Sequence, residues 1–339
     1  MVRIAVVGLG WWGKILARTI AGSGALRVVR AVEPDPATAR AMADELRVPV
    51  GARIEDALED AAVDAVILAT PHSVHKAQAL AAARAGKHVF VEKPLALSLN
   101  DALEIVRSCA RAGVALGVGH ERRFEPPLVE LRRSLREGEL GTPLQVEANF
   151  SHDRFLALSP DNWRLSTAEA PAGGMTATGI HLLDLAIELL GTPASVYAPC
   201  ATLASAIPNG DSLSVCVRFQ SGATATLNVM LATPFISRFA LYGSRGWVEV
   251  RDKAHVEAPD GWWLTRAMAG AQPQRTEYPV TRPVLANLEA FAAAVEGRTP
   301  YPVGARAMLA TIAALEAVFR ASRSGAVEAV AALPPEFAV

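Results

Sequence analysis

The first 120 residues alternate between two hydrophobic periods, and this alternation constrains the fold more than any other feature of the chain. Short apolar runs, several of them rich in valine, are typical of strands buried in a parallel sheet. They occupy residues 2–7, 28–32, 65–68, 88–91 and 115–119. The segments between them have helical spacing, and two of these segments begin at the capping residues Asp35 and Ser98. Strict alternation of strand and helix predicts right-handed βαβ units and an α/β fold with a doubly wound parallel sheet.

The pattern changes near residue 121, where longer runs of alternating apolar and polar residues begin. Such runs, separated by turn sequences such as PNGD at residues 208–211, are typical of antiparallel strands. The predicted strands occupy residues 144–149, 195–203, 212–219, 223–229, 238–242 and 247–250. Helices are predicted at residues 127–137, 284–296 and 305–322. The second part of the chain is therefore expected to be an α+β domain built on an open, mostly antiparallel sheet.

The length of 339 residues exceeds what one hydrophobic core usually supports, so we expect two domains, residues 1–120 and residues 121–339. A net charge of −1 provides no basic surface for nucleic acid or for a membrane. The start of the chain predicts a strand entering a glycine turn instead of a signal peptide, and no apolar run reaches the ~20 residues that span a membrane. The three cysteines are expected to be reduced, and the sequence predicts a cytoplasmic protein.

The sequence GLGWWG at residues 8–13 follows the first predicted strand and opens a helix, which is the context of a dinucleotide-binding turn. Gly8 allows the tight turn, Gly10 lets a pyrophosphate approach the backbone, and Gly13 lets helix and strand pack closely. Glu33 ends the second strand about 20 residues later, where a carboxylate accepts hydrogen bonds from ribose hydroxyls and repels a 2′-phosphate. The motif therefore predicts a Rossmann domain that prefers NAD to NADP. An ordinary tight turn with an exposed glutamate is the alternative.

A second polar group, TPHSVH, follows the third large strand on the edge where such sheets bind ligands. His72 and His75 are spaced like two metal ligands, but the nearby sequence supplies no third one. We therefore expect no metal site. Thr70, Pro71 and His75 are interpreted as groups of a helix start that lies near the cofactor.

The sequence EKP at residues 92–94 follows the predicted strand at residues 88–91. Lys93 is therefore expected at the carboxyl end of a parallel strand, the side on which open α/β sheets bind ligands. Beside a positively charged nicotinamide its ammonium group would lose proton affinity. It could then hydrogen-bond a substrate hydroxyl and stabilise a developing alkoxide. On spacing alone, a surface lysine at a strand end explains the position equally well.

A glycine-rich segment, GGMTATGIHLLDL at residues 173–185, puts His181 in an apolar helical setting. Histidine can accept a proton at neutral pH, and Asp184 could orient the ring. A core histidine is the alternative. The preceding residues 156–174 have the composition of a loop, and loops of that length are usually functional or mobile.

Taken together and in this order, GLGWWG, Glu33, TPHSVH, EKP and GGMTATGIH resemble the Gfo/Idh/MocA family, the glucose–fructose oxidoreductase and inositol dehydrogenase group. The resemblance covers nearly the whole chain, including the antiparallel second domain. Family members mostly oxidise or reduce carbinol carbons of sugars, inositols and related diols with NAD(H) or NADP(H). The resemblance implies a dehydrogenase or reductase acting on CH–OH groups. We expect it to transfer hydride between NAD and a sugar, polyol, inositol or related diol.

The resemblance also implies roles for particular residues, with Lys93 and His181 as the acid/base pair beside the nicotinamide. The second domain is expected to bind substrate and to form a homodimer or homotetramer through its open sheet. The predicted cofactor-binding residues are Gly8, Gly10, Trp11, Trp12, Gly13, Glu33, Thr70, Pro71, His75, Glu92, Lys93, Trp163 and Arg164. The predicted substrate-binding residues are Arg122, His152, Arg164 and Asp184.

One position departs from the family pattern. Sugar-oxidising members often carry Asp or Asn four residues before the histidine, where this chain has Ala177. An ordinary sugar or inositol is therefore not the only substrate to consider. Two other functions stay open. One is a lyase or glycosidase that uses bound NAD for transient oxidation and returns it unchanged. The other is a non-catalytic dinucleotide-binding regulator, which would be expected to lack the lysine and the histidine.

Overall fold

A computed structural model of the protein describes residues 1–256 and 258–337, which form two compact units. The first unit comprises Met1–Glu121 and Arg282–Ile312, and the second comprises Arg122–Thr281 with the chain after Ile312. Residues 282–312 were expected in the second domain but pack with the first unit. The division of roles between the two parts stays a prediction. Within the described residues, no helix combines the length and apolar character needed to cross a membrane.

Residues 1–121 form strands and helices in near-strict alternation. The elements are β1 (Val2–Val7), α1 (Trp11–Ile20), β2 (Leu26–Val32), α2 (Pro36–Leu46), β3 (Val50–Gly51), α3 (Glu55–Leu58), β4 (Ala65–Leu68), α4 (His75–Arg84), β5 (His88–Val91), α5 (Leu99–Ala112) and β6 (Leu116–Val118). The strands pair in parallel in the order β3-β2-β1-β4-β5-β6. The predicted doubly wound sheet is confirmed. The chain direction across the sheet reverses between β1 and β4, and ligands bind beside that point in sheets of this kind.

Two helix starts form as their sequences predict. The Asp35 side chain accepts a hydrogen bond from the Thr38 N–H at 2.8 Å, at the start of α2. The Ser98 hydroxyl accepts one from the Asp101 N–H at 3.2 Å, at the start of α5. Gly113, with φ +67°, ends α5 in the left-handed conformation. Each N-cap contributes about 1 kcal/mol, so the residues at which these helices begin are specified by the local sequence.

The remaining described residues contain a wide sheet and four further helices. The elements are α6 (Pro126–Arg136), β7 (Pro143–Ser151), α7 (Gly179–Leu190), β8 (Pro193–Tyr197), β9 (Cys200–Ala201), β10 (Ser212–Phe219), β11 (Thr224–Met230), β12 (Ile236–Gly243), β13 (Gly246–Asp252), β14 (Trp262–Met268), β15 (Gln274–Tyr278), α8 (Pro283–Val295), α9 (Ala305–Ser324) and β16 (Glu328–Ala329). The sheet order is β15-β14-β13-β12-β7-β11-β10-β8-β16, with β9 beside β10. Its pairs are antiparallel except for the parallel pair β7–β11. The predicted open, mostly antiparallel sheet is confirmed.

Two details of that sheet differ from the prediction. The single strand expected at residues 195–203 is divided into β8 and β9, because Pro199 lies between them and has no N–H to donate. Strands β14, β15 and β16 were not predicted. In β15 the sequence QRTEY lacks apolar alternation, since four of its five residues are exposed at the edge of the sheet.

The core of the first unit is completed by helix α8, which lies far along the chain. Leu288 and Phe291 of α8 pack in one buried cluster with Phe90 of β5. The two phenylalanine rings meet edge to face with centroids 5.5 Å apart. The Tyr301 hydroxyl donates to the Val118 carbonyl at 2.8 Å. Burying one phenylalanine side chain stabilises a fold by roughly 1.5–3 kcal/mol, so α8 is part of the Rossmann unit's own core.

In the second unit the strands alternate as predicted. On β11, Leu227 and Val229 point inward and are buried, and helix α7 packs against this face. Thr226 and Asn228 point outward and are partly exposed. On β7 and β11 the apolar face is therefore covered by α7, α6 packs against β13 and β14, and the opposite face of β11 is polar.

Candidate active site

Glycine is required at two positions of the turn between β1 and α1. Gly8 has φ +88°, and a Cβ there would lie 2.8 Å from the Ala69 carbonyl oxygen. A Cβ on Gly13 would lie 1.9 Å from the Gly8 carbonyl oxygen, so α1 approaches the turn this closely only without a side chain. Gly10 differs, because among the described residues no atom from outside its own stretch of chain lies within 4 Å of the place its Cβ would take. The turn thus leaves open space beside the backbone where α1 begins.

Helix α1 begins without a side-chain cap. Gly10 is its N-cap residue and offers no side chain to the first N–H groups of the helix. Those N–H groups and the positive end of the helix dipole favour an anion. Together with the open space at Gly10, they suit a pyrophosphate.

Glu33 follows the last residue of β2, as predicted, and is tied to the glycine turn. Its Oε2 accepts a hydrogen bond from the Leu9 N–H at 2.8 Å, and its Oε1 accepts one from the Asp35 N–H at 3.0 Å. Each carboxylate oxygen has a further lone pair. The side chain can therefore hold the turn and still accept a hydrogen bond from a ribose hydroxyl.

The segment after β4 is joined to the EKP segment through a buried histidine. The Nδ1 atom of His75 lies 2.9 Å from the Pro94 carbonyl oxygen, and its Nε2 atom lies 3.0 Å from the Thr70 carbonyl oxygen. The Thr70 hydroxyl donates to Gln78 at 2.6 Å. A neutral imidazole has one N–H and can donate to only one of the two carbonyls at a time. The His75 ring nevertheless contacts both segments, and so lies between the residues that follow β4 and those that follow β5.

Glu92 is buried directly after β5, and Gly119 provides the room for it. A Cβ on Gly119 would lie 2.4 Å from Glu92 Oε2. Burial and the neighbouring Glu121 carboxylate raise the pKa of Glu92 to about 7. Lys93 and the Trp12 indole act in the opposite direction. The indole N–H of Trp12 makes no hydrogen bond of normal geometry with the described residues, so its effect on the carboxyl group is that of a nearby dipole.

Lys93 occupies the predicted position, two residues beyond the end of β5, and is partly exposed. Its backbone N–H donates to Glu92 Oε2 at 3.3 Å, and the Lys93–Pro94 peptide bond is cis. Trp11, the other aromatic residue of the glycine turn, is 49% exposed, and its ring centroid lies 5.3 Å from that of Trp12. The first unit thus gathers the predicted residues of the glycine turn, Glu33, Thr70, His75, Glu92 and Lys93 around the carboxyl ends of its central strands.

The second unit contains His181 in the first turns of α7, where it is 4% exposed. The predicted helical setting is confirmed. Asp184, considered as a residue that could orient the histidine and predicted to bind substrate, accepts two hydrogen bonds from the Arg123 guanidinium at 2.6 and 2.7 Å. Arg123 also pairs with Glu188 at 3.1 Å. A buried, bidentate ion pair is thus a principal contact of Asp184, which the sequence spacing alone did not indicate.

Trp163 and Arg164 lie in a short 3₁₀ turn, Trp163–Leu165, within the long loop of residues 156–174. The Asn162 side chain caps this turn by accepting a hydrogen bond from the Arg164 N–H at 3.0 Å. The Arg164 guanidinium lies over the Trp163 ring, 4.3 Å from its centroid. Burial lowers the pKa of Arg164 from its ordinary value, but an arginine stays charged at neutral pH.

Arg122 and His152, predicted to contact substrate, lie in the interior of the second unit. Arg122 pairs with Glu125 at 3.0 Å and with Asp252 at 2.8 Å, and its guanidinium lies 5.1 Å from the centroid of the Phe150 ring. The His152 ring meets the rings of Phe155 and His255 with centroids 5.2 and 5.4 Å apart. These contacts give both residues a structural role, and their contact with substrate stays a prediction.

Residues that sequence reasoning missed lie in two places. Gly119 was read as part of a strand, but its missing side chain makes the cavity for the Glu92 carboxyl group. Asn209 was read as a turn residue, but its side chain donates hydrogen bonds to the Arg164 and Ala170 carbonyl oxygens in the loop of residues 156–174. Spacing gave no signal for either, since both depend on segments distant in sequence.

A parallel sheet with a glycine turn at its reversal point, an uncapped helix and a carboxylate at the end of the second strand define a dinucleotide-binding Rossmann unit. Residues 2–120 match the oxidoreductase family with an NAD-binding Rossmann fold, and residues 128–249 match the GFO/IDH/MocA C-terminal domain. The chain belongs to the GFO/IDH/MocA family of oxidoreductases. The resemblance drawn from the motifs is confirmed.

Relatives and solved structures agree over most of the chain. A 1,5-anhydro-D-fructose reductase from Ensifer adhaerens is 33% identical over 248 residues, which are 69% of this chain and 74% of that one. An inositol 2-dehydrogenase from Rhizobium meliloti is 30% identical and covers 94% of this chain and 96% of its own. The crystal structure of an aldose–aldose oxidoreductase from Caulobacter crescentus, complexed with glycerol, has a TM-score of 0.86 at 26% identity, with 97% and 99% of the two chains covered.

Proposed function

We propose that this protein is an NAD(H)-dependent oxidoreductase that transfers hydride between nicotinamide and a carbinol carbon of a sugar, polyol, inositol or related diol. The observation that carries the proposal is the arrangement in the first unit. A glycine turn that a Cβ would block follows β1 at the reversal point of the sheet, and Lys93 follows β5, the second parallel strand along from β1, on the same edge. The names of the similar proteins, which act on an anhydro sugar, an inositol and aldoses, support this substrate class.

The residues that would hold NAD fit its chemistry. The first N–H groups of α1 bind the pyrophosphate, and the open space at Gly10 admits it. Glu33 accepts hydrogen bonds from the ribose hydroxyls of the adenosine half. When bound, the nicotinamide ring supplies the hydride acceptor or donor of the reaction.

Lys93 and His181 then divide the work on the substrate oxygen. The Lys93 ammonium donates a hydrogen bond to that oxygen and stabilises negative charge as it develops. In the oxidation direction, His181 accepts the hydroxyl proton, directly or through Lys93; in the reduction direction it returns the proton. Fixing both groups beside the reacting carbon removes the entropy cost of bringing them together, which accounts for much of the acceleration.

A panel of substrates tests the proposal. Polyols, sugars, sugar acids and dihydrodiols are incubated with NAD and with NADP, and the absorbance of the reduced cofactor is followed. We expect NADH to accumulate with one of these classes and Lys93→Met to abolish the signal. Consumption of a substrate with the cofactor returned unchanged would instead establish elimination or glycoside cleavage through transient oxidation. Binding of NADH with no substrate consumed in the whole panel would favour a regulator.

The cofactor preference for NAD is a second part of the proposal and rests on Glu33. A 2′-phosphate would lie against the carboxylate that already holds the Leu9 and Asp35 N–H groups. Like charges at close range cost at least ~1–3 kcal/mol in a partly solvated site. Preference for NAD by roughly tenfold to a hundredfold follows.

The open face of the second sheet is proposed to join copies of the chain. Its centre carries an ion-pair network in which Arg238 lies 3.2 Å from Glu147 and 3.3 Å from Glu249. Helix α7 covers the apolar face of β11, so the proposed interface is the opposite, polar face. That face carries this network together with Thr226 and Asn228. Light scattering at micromolar concentration should show a dimer or tetramer, and a monomer would contradict it. The cytoplasmic location stays a prediction.

A further inference from the structure

The long loop of residues 156–174 is held in place by a turn that is distant in sequence. This turn, IPNGD at residues 207–211, is called the anchor turn below. The turn and the loop both belong to the second unit. The loop carries Trp163 and Arg164, which the family resemblance predicts to bind cofactor, with Arg164 also predicted to bind substrate.

Asn209 of the anchor turn makes three hydrogen bonds to the loop. Its Nδ2 donates to the Arg164 carbonyl oxygen at 3.0 Å and to the Ala170 carbonyl oxygen at 2.6 Å. The backbone carbonyl oxygen of Asn209 accepts a hydrogen bond from the Gly173 N–H at 2.6 Å. Asn209 is 6% exposed, so these bonds form away from water, where losing a donor leaves a carbonyl unsatisfied. Both N–H groups of one side chain amide thus hold two distant points of the loop.

Apolar contacts reinforce the same connection. Leu165, next to Arg164, is buried in one cluster with Ile207 of the anchor turn and Leu231. Phe155 and Leu158 of the loop region pack against this cluster. The loop is therefore attached to the anchor turn in two ways, by hydrogen bonds to the loop backbone and by burial of the loop's apolar side chains.

The anchor turn is itself firmly supported. The Asp211 carboxylate accepts hydrogen bonds from the N–H groups of Leu203, Ala204 and Ser205 at 2.8–2.9 Å. Burial alone would raise the pKa of Asp211. These hydrogen bonds together lower that pKa by more than burial raises it, so the net change is downward. The Asp211 carbonyl oxygen accepts from the Leu231 N–H at 2.8 Å, directly after β11. Because the anchor turn is hydrogen-bonded to the residue that follows β11, it provides a fixed support for the loop.

The end of the loop adopts a conformation that needs such support. Ala172 has φ +61° and Gly173 has φ +59°. The left-handed region costs a residue with a Cβ roughly 1–2 kcal/mol. A Cβ on Gly173 would lie 2.9 Å from the Gly210 carbonyl oxygen, so the backbones of loop and anchor turn touch at this point.

We propose that Asn209 is a positioning residue, which holds the loop so that Trp163 and Arg164 are presented to cofactor and substrate in one conformation. The proposal rests on the proposed function, because the roles of Trp163 and Arg164 do. Asn209 acts through the loop, since its amide contacts backbone carbonyls. A loop that is ordered for only a fraction of the time weakens apparent binding by that fraction, whereas saturating ligand restores the ordered state. A changed KM with a preserved kcat is therefore the signature of positioning.

Asn209→Asp is the variant that tests the proposal. Aspartate has nearly the same shape, but it replaces both N–H donors with a carboxylate oxygen that the Arg164 and Ala170 carbonyls repel. Asn100→Asp is the matched control, because Asn100 is exposed at the start of α5 and its side chain donates to Glu104, at 3.1 Å. Both variants make the same chemical change, one inside the anchor turn and one far from it.

Amide hydrogen exchange measures the loop directly. In Asn209→Asp we expect exchange within residues 163–173 to be about tenfold to a hundredfold faster than in the wild type, because buried hydrogen bonds are lost. In Asn100→Asp those residues should exchange as in the wild type. Equal exchange in the two variants would overturn the proposal.

Binding and kinetics measure the consequence. We expect Asn209→Asp to weaken NADH binding in a fluorescence titration, and to raise KM for the best substrate of the panel, each about tenfold. The kcat should stay within about twofold. Faster loop exchange with unchanged NADH affinity and unchanged KM would show that the loop is held but positions nothing, which also overturns the proposal.

Two further measurements keep the result decisive. If Asn209→Asp does not fold, Asn209→Ala removes the donors without adding charge, and the same outcomes apply. In the wild type, the Gly173 amide must be among the slowest to exchange in the loop, and rapid exchange there would contradict the anchor. If the wild type turns over no substrate, the proposed function fails, while exchange and NADH affinity still decide the role of Asn209.

Discussion

The glycine turn of residues 8–13 and the loop of residues 156–174 are held in different ways. The glycine turn is fixed by close backbone approach, since a Cβ on Gly13 would meet the Gly8 carbonyl and a Cβ on Gly8 would meet the Ala69 carbonyl, directly after the adjacent strand β4. The long loop is fixed by Asn209 and Ile207, which follow it by dozens of residues. Changes in the first should therefore act where they are made. Changes that disturb the second should act at a distance.

The largest expected effect is at the end of β5, in the same unit as the glycine turn. Lys93→Met should lower kcat by roughly 10²–10⁴-fold, the range for a lost general acid/base group, with NADH affinity changed only a few-fold. Lys87→Met, at the opposite end of the same strand, is the control, because Lys87 donates to the Asp60 and Val63 carbonyls. Wild-type turnover in Lys93→Met would end the proposed mechanism.

His181→Ala extends this test to the second unit. If Lys93 and His181 act on one substrate oxygen, each single variant should lose a similar factor in kcat. The double variant should then lose far less than the product of the two factors, as groups that act as a unit do. Multiplicative losses in steady-state kinetics would mean that the two units contribute independently.

The next largest effect concerns the buried carboxyl group beside Lys93. Since the pKa of Glu92 is raised from 4.5 to about 7, the folded state binds its proton more tightly than the unfolded state. The stabilisation is full below about pH 4.5 and is lost as the pH rises to about 7, by up to about 3 kcal/mol. Glu92→Gln should lack this loss, so its free energy of unfolding should fall less between pH 5 and pH 8 in urea titrations. The control is Glu104→Gln, at a partly exposed carboxylate paired with Lys76. Parallel pH profiles for wild type and Glu92→Gln would refute the prediction.

A smaller effect separates two glycines of one turn. Gly13→Ala should lower the free energy of unfolding by roughly 1–3 kcal/mol, because its Cβ would overlap the Gly8 carbonyl. Gly10→Ala should leave stability nearly unchanged, since its Cβ would meet no other segment of the described chain within 4 Å, and should weaken NADH binding because it fills that space. Denaturant unfolding and NADH titration on both variants measure this contrast. If the two variants are equally stable, the backbone of the turn moves to accommodate the Cβ added at Gly13, and the prediction is wrong.

The smallest effect is on cofactor choice. Glu33→Gln removes the charge but keeps one oxygen to accept a hydrogen bond from the glycine turn. The preference for NAD over NADP, expected to be tenfold to a hundredfold, should shrink to a few-fold. Fluorescence titrations with both reduced cofactors measure it. If the wild type already binds NADPH as tightly as NADH, the role assigned to Glu33 is wrong.

The same contrast explains what could be predicted from sequence. The five predicted strands of the Rossmann sheet, the caps Asp35 and Ser98, and the position of Glu33 depend on residues close in sequence, and each is found near its predicted place; the two-residue strand β3 was not predicted. The ion pair of Asp184 with Arg123 depends on residues 61 positions apart, so spacing on one helix did not reveal it. The anchoring role of Asn209 was missed for the same reason. A turn sequence specifies its own shape, whereas the partners of its side chains depend on how distant segments pack.

Helix α8 has a consequence for how the protein is made. Phe291, which packs against Phe90 in the core of the first unit, follows it by about 200 residues, and ribosomes add roughly 5–20 residues per second. For something like 10–40 seconds of synthesis, one apolar face of the nascent Rossmann sheet has no α8 to cover it. A chaperone that binds exposed apolar sheet surface would find its target during that interval. A ribosome stalled before residue 282 should hold the first unit in a protease-sensitive state, although its six strands have already been made.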